Sequence, residues 1–177
     1  KIDGGAIRMH DNLVHTIVTL LRSIGLSVAL EPLNMFSNHV PDDNRRPDML
    51  LRNPFDGGSQ IVIDASISSF NSSSRTNDNA PQQVVIAMKI GKYGEAAKKN
   101  HIRFCPASFS TTGEMGPAIK NLFLQQIRLK LQLVDGEVKK SKVQAIMKHC
   151  VRRISAAINR SASRNILLNG GFHIIKK

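Results

Sequence analysis

Residues 60–67, QIVIDASI, constrain the fold more than any other stretch of this 177-residue chain. Ile61, Val62 and Ile63 are β-branched, and the run does not alternate with polar residues. A short run of that kind reads as a strand covered on both faces, and so as an interior member of a sheet. One carboxylate, Asp64, stands inside it. An unpaired buried carboxylate costs several kcal/mol, so Asp64 needs a cation or a metal beside it. Just upstream, residues 46–52 read as a second strand that opens on Arg46-Pro47-Asp48. Asn53, Pro54, Asp56, Gly57 and Gly58 supply the turn between them, because glycine tolerates positive φ without steric cost. A hairpin folded at the glycine pair brings Asp48 beside Asp64.

The rest of the chain supplies a frame for that hairpin. Residues 10–24 have a helical pattern, with Leu13, Val14, Ile17, Val18, Leu21 and Ile24 three and four apart. Asp11 or Asn12 is the expected cap, His10 the entrance residue and Gly25 the stop. Residues 26–31 predict a strand ended by Pro32, and residues 34–45 a polar loop. Residues 69–79, SFNSSSRTNDN, are a low-complexity loop expected near the substrate entrance. A helix is predicted over 81–100, with Pro81 at its first position, Asp78 or Asn79 as cap, and Val85, Met88, Lys89, Lys92 and Ala96 along one stripe. Two lysines on a stripe facing a sheet are unusual, since lysine is rarely buried without a partner.

Residues 101–110 predict a strand interrupted by Pro106. Residues 117–133 predict a helix with Ile119, Leu122, Phe123, Ile127, Leu129 and Leu131 as its apolar set, ended at Asp135-Gly136. A last helix is expected over 138–162, with Val143, Ile146, Met147, Val151, Ile154 and Ile158 inward. The order α-β-β-β-α-β, followed by two helices, predicts an α/β fold with a central mixed sheet. Residues 1–112 would form the core, and 113–177 a basic helical extension packed on it.

Charge is the strongest global signal. The net charge is +12, with 11 Lys/Arg against 10 Asp/Glu in residues 1–100 but 14 against 3 in residues 101–177. Such a one-sided field favours a polyanion, nucleic acid above all, with an acidic protein partner or a solvated basic tail as the other readings. Lys148, Arg152 and Arg153 lie on the polar side of the last helix and are the candidates for phosphate contact there. Arg8 and His10 are further candidates. Cys105 and Cys150 have neither zinc nor disulfide spacing, which fits a reducing compartment. No run approaches the roughly 20 apolar residues of a membrane span, so no membrane partner is expected. The chain begins at Lys1 without a hydrophobic leader and reads as a piece of a larger polypeptide.

Two carboxylates on adjacent strands can hold Mg²⁺ or Mn²⁺, hard cations that take oxygen ligands. A nearby amine would neutralise a phosphate under attack. Asp48, Asp64 and either Lys89 or Lys92 supply this set. Arg46-Pro47-Asp48, Asp64 within IVIDASIS, and Lys89, Lys92 and Tyr93 within AMKIGKY resemble the PD-(D/E)xK restriction-endonuclease-like superfamily. They are most similar to the endonuclease domains of site-specific non-LTR retrotransposons. The resemblance covers about residues 8–110 and implies a restriction-endonuclease-like core. It further implies Mg²⁺-dependent hydrolysis of DNA phosphodiester bonds and an intracellular, nuclear setting, with Arg46 and Tyr93 near the nucleic acid. It also implies a third acid from the first helix or strand, for which Glu31 and Asp11 are the candidates. Cutting both strands calls for a homodimer or for a place within a larger polyprotein. The superfamily motif asks for a lysine where Ser66 stands, so the amine must come from the following helix. If it does not, the chain is a degenerate module that only binds nucleic acid. A third reading is a basic structural protein that packs on another part of its parent polypeptide.

Overall fold

The structure is a computed structural model that describes residues 4–33, 35, 36, 45–53, 57–68 and 80–169. The predicted caps Asp78 and Asn79, the turn residues Pro54 and Asp56, the loop 69–79 and most of the loop 34–45 lie outside the described residues. The elements run α1 (Gly4–Ser23), β1 (Ser27–Leu30), β2 (Met49–Asn53), β3 (Ser59–Ser68), α2 (Ala80–Lys99), β4 (Arg103–Ser110), α3 (Pro117–Asp135) and α4 (Lys140–Asn169). They form an α/β fold whose four-stranded sheet has the order β1-β2-β3-β4. The first three strands are antiparallel, and β4 joins parallel to β3 through α2.

The alternation of side chains along β2 and β3 divides the molecule. Met49, Leu51, Ile61, Ile63 and Ala65 point to one face, where they enter the large core with Leu13, Ile17 and Leu21 of α1, Phe123 and Ile127 of α3, and Ile154 and Ile158 of α4. Leu50 and Val62 point to the other face, where the cover is Phe36 with Tyr93, Ala96 and Ala97 of α2. By the same period of two, Asp48 and Asp64 belong to the α2 face. The register Met49↔Ile63 and Leu50↔Val62, carried one step further, sets Asp48 opposite Asp64.

Several expectations are corrected here. The helix α1 starts six residues early, at Gly4, so His10, Asp11 and Asn12 lie within it and do not cap it. Its end is as expected: Gly25 takes a φ of 91°. The strand β4 is not interrupted, and Pro106 pairs across from Asp64. Proline is tolerated because β4 is an edge strand and needs ladder partners on one side only. On α3, Gln126 is buried and Leu129 half-buried. On α4, Cys150 turns inward while Val151 is exposed. On α2, Met88 is 70 % exposed, and the contact with the sheet runs through Tyr93, Ala96 and Ala97. The sequence stripe was rotated by about one residue, or 100°. No described helix is long and apolar enough to cross a membrane.

Candidate active site

Asp64 is the buried acid of β3, only 5 % exposed. Its carboxylate is in an ion pair with the amine of Lys89, which reaches across from α2. The same amine donates to the Ala65 carbonyl at 2.9 Å. The backbone N–H of Ala65 in turn donates to Asp48 Oδ2 at 2.5 Å. Two carboxylates, one carbonyl and one amine thus converge at the point where β2 begins and β3 is still paired on both sides. Burial pushes the Asp64 carboxyl above the usual carboxylate range, the Lys89 hydrogen bond opposes this, and the charge of Asp48 adds to the upward shift.

Asp48 has a partner that the sequence did not reveal. Nε2 of His10, nearly two helical turns into α1, stands 3.3 Å from its Oδ2. That contact raises the imidazole pKa to about 9 against a smaller opposing effect of burial, and the coulombic pull of Asp48 adds to it. His10 also stands 3.5 Å from Asp11 Oδ1. The backbone N–H of Glu31 holds the main chain of Asp48 through its carbonyl at 2.8 Å.

Arg46, Asp48, Asp64, Lys89, Lys92 and Tyr93 line one cleft of about 530 Å³, with Val85 and Met88 on its rim. Tyr93 is buried beneath it, and its hydroxyl donates to the Arg46 carbonyl at 3.0 Å. Burial and the Asp64 carboxylate push its phenol above the ordinary range, so it stays protonated and acts as a strut. Lys92 is exposed, with its amine 4.6 Å from the centre of the Tyr93 ring. Of the two lysines, Lys89 is the one on Asp64.

The remaining candidates fall elsewhere. Glu31 is in an exposed ion pair with Arg46 and lines a neighbouring cleft with His10, Asp11 and Asp48, not the one that holds Asp64. Lys148 and Arg152 are exposed on α4, Arg153 lines a groove between α1 and α4, and Arg8 is exposed on α1. Among the described residues no group of three or more His, Cys, Asp or Glu is placed to hold a metal ion. The oxygens of Asp48, Asp64 and Ala65 nonetheless suit Mg²⁺ or Mn²⁺, which bind through one or two carboxylates and fill their remaining positions with water and substrate oxygens. No protein-family model matches this sequence, and no curated protein matches it.

Proposed function

We propose that this chain is a metal-dependent endonuclease that hydrolyses DNA phosphodiester bonds, with a restriction-endonuclease-like core. One observation carries the reading: the Lys89 amine of α2 lies on the Asp64 carboxylate and the Ala65 carbonyl, where it can stand in for the amine that the motif would carry at Ser66. Asp48, Asp64 and the Ala65 carbonyl would hold the cation. A bound Mg²⁺ or Mn²⁺ supplies Lewis-acid stabilisation of the charge that builds on the phosphate and makes a water easier to deprotonate.

The chain's own residues do the rest. Asp48 and Asp64 present acceptor oxygens on one face of a rigid sheet, where pairing on β3 keeps them from drifting. Without a cation, His10 and Lys89 neutralise them, so the two carboxylates can stand close without unfolding the site. Lys89 is flexible along its stem and can turn its amine from Asp64 to a phosphate oxygen or to the attacking water. Tyr93 fixes the main chain at Arg46, whose residue lines the cleft while its guanidinium is paired with Glu31 beside it.

The same Lys89–Asp64 contact favours a second reading, because a buried ion pair can be purely structural. In that case the chain binds nucleic acid and cuts nothing. Nicking of supercoiled plasmid in Mg²⁺ or Mn²⁺ decides between them. The nuclease reading expects nicking that disappears in Asp64→Ala while the circular dichroism spectrum and melting curve stay cooperative. Cutting by that variant at the wild-type rate would sink it.

A further inference from the structure

A groove of about 730 Å³ lies between α1 and α4, outside the cleft that holds Asp64. The two helices run antiparallel, since Asn165 Nδ2 donates to the Gly5 carbonyl at 2.9 Å and Asn12 Nδ2 to Ser161 Oγ at 2.9 Å. Close approach at Gly5 matters here: a Cβ there would stand 2.9 Å from the Asn165 side chain. The helices are pinned at that end, and the groove runs along their exposed seam from Asn12 to Thr19.

Its walls are cationic. Arg153, Arg160 and Arg164 come from α4, and His15, Thr16 and Thr19 from α1. The arginines are seven and four residues apart, which sets them on one helical stripe about 16 Å long. Among the described residues none of the three is in an ion pair, whereas Lys142 on the same helix is paired with Asp135. The helix α4 carries seven lysines and arginines and no acid. The Thr16 and Thr19 hydroxyls donate back to the carbonyls of Asn12 and His15, at 2.7 and 2.9 Å. Their protons are used, so the guanidinium groups are the main donors the groove offers.

The groove adjoins the clefts of the acids. His15 lines it and also lines the cleft of about 280 Å³ that holds His10, Asp11, Glu31 and Asp48. Asp48 in turn lines the cleft of Asp64 and Lys89. The two surface acids on this path are each beside a cation, Asp11 near His10 and Glu31 with Arg46.

We infer that the α1/α4 groove is a phosphate-backbone exosite that holds duplex DNA flanking the point of cleavage. The inference rests on the nucleic-acid part of the proposed function, not on its catalytic part. Planar guanidinium groups take two phosphate oxygens at once, and a 16 Å stripe matches about five nucleotide steps of a strand that rises 3.4 Å per step. An acidic protein would meet the same charge, and competition by polyglutamate tests for it.

The test is binding of a fluorescent 30-base-pair duplex by anisotropy, over a series of KCl concentrations, with the full chain. The variant Arg153→Gln/Arg160→Gln/Arg164→Gln should bind at least 10-fold more weakly near 0.1 M salt. Its plot of log affinity against log salt should be shallower by about 2 to 3, as expected when three phosphate contacts are lost. The charge-matched variant Lys98→Gln/Lys120→Gln/Arg128→Gln should lose far less. The triple Lys variant at the three arginine positions should recover most of the slope, which guards against a folding defect in the Gln variant. Equal losses in the two Gln variants would overturn the groove, as would equal competition by polyglutamate and by unlabelled duplex. Plasmid nicking at saturating DNA separates the two ideas. A wild-type chain that binds through the groove but never nicks leaves the exosite standing and removes the nuclease. A chain that nicks while the arginine variant binds like wild type does the reverse.

Discussion

The two faces of the sheet are built for different ends. On one face, α1, α3 and α4 cover Met49, Leu51, Ile61, Ile63 and Ala65 with aliphatic and aromatic side chains. On the other, a single helix makes apolar contact only over its second half, at Tyr93, Ala96 and Ala97. Its first half holds Lys89 over the acids and leaves Val84 and Met88 in solvent. Stability should therefore reside on the first face and chemistry on the second. A nuclease site of the proposed kind must open to a polymer, and a helix packed along its whole length would seal it.

That division can be broken by mutation, and the largest effect should be on rate. Asp64→Ala should lower plasmid nicking by about 10³-fold, in line with the loss of a principal transition-state contact, while melting stays cooperative. Next is the opposite face: Phe123→Ala should cost about 3–5 kcal/mol in urea unfolding, because it leaves a cavity in the large core. Equal destabilisation by both variants would refute the division.

Lys89→Met sharpens it further. An uncompensated carboxylate in the sheet should cost about 3 kcal/mol near neutral pH. The native Asp64 carboxyl, already raised in the wild type, would then lie further above its unfolded value. A raised carboxyl is favoured native when protonated, so the penalty should fade as the pH drops toward 4. Unfolding curves at pH 4.5 and 7.5 read this directly, and a constant penalty would contradict it.

A smaller effect belongs to His10. Its folded pKa of about 9 lies above the ordinary imidazole value of 6.5. In chelator-treated protein, the stability from the Asp48 contact should be fully present below about 6.5 and lost as the pH rises through about 9. His10→Gln should flatten the stability curve across that window, which thermal melts at half-unit steps would detect. The smallest effect is expected for Lys92→Gln. Its amine is exposed, so stability should move by less than about 0.5 kcal/mol, and nicking should fall far less than in Lys89→Met. A larger loss at Lys92 would transfer the catalytic amine to it.

Much of this was legible along the chain. Gly25 and Gly136 end helices where their positive φ allows, at 91° and 67°. The apolar residues of α1 announced its buried side, because a period near four over several turns has one solution. The helix α2 was harder to read. Val84 to Met88 are all apolar, so no rotation of the helix is preferred locally, and Met88 and Lys89 exchange places with a turn of 100°. Packing of Tyr93 between Phe36 and Phe104 decides it, with ring centres 6.3 and 5.5 Å away.

The sequence by itself determined the hairpin and the pairing of Asp48 with Asp64 across it. These depend on strand period and turn chemistry, which act over a few residues. Only the tertiary structure decided that Lys89 pairs with Asp64, that His10 stands on Asp48, and that Arg153, Arg160 and Arg164 share a groove with α1. Those contacts join residues 25 to about 150 positions apart, and they follow from helix rotation and packing that no local pattern encodes.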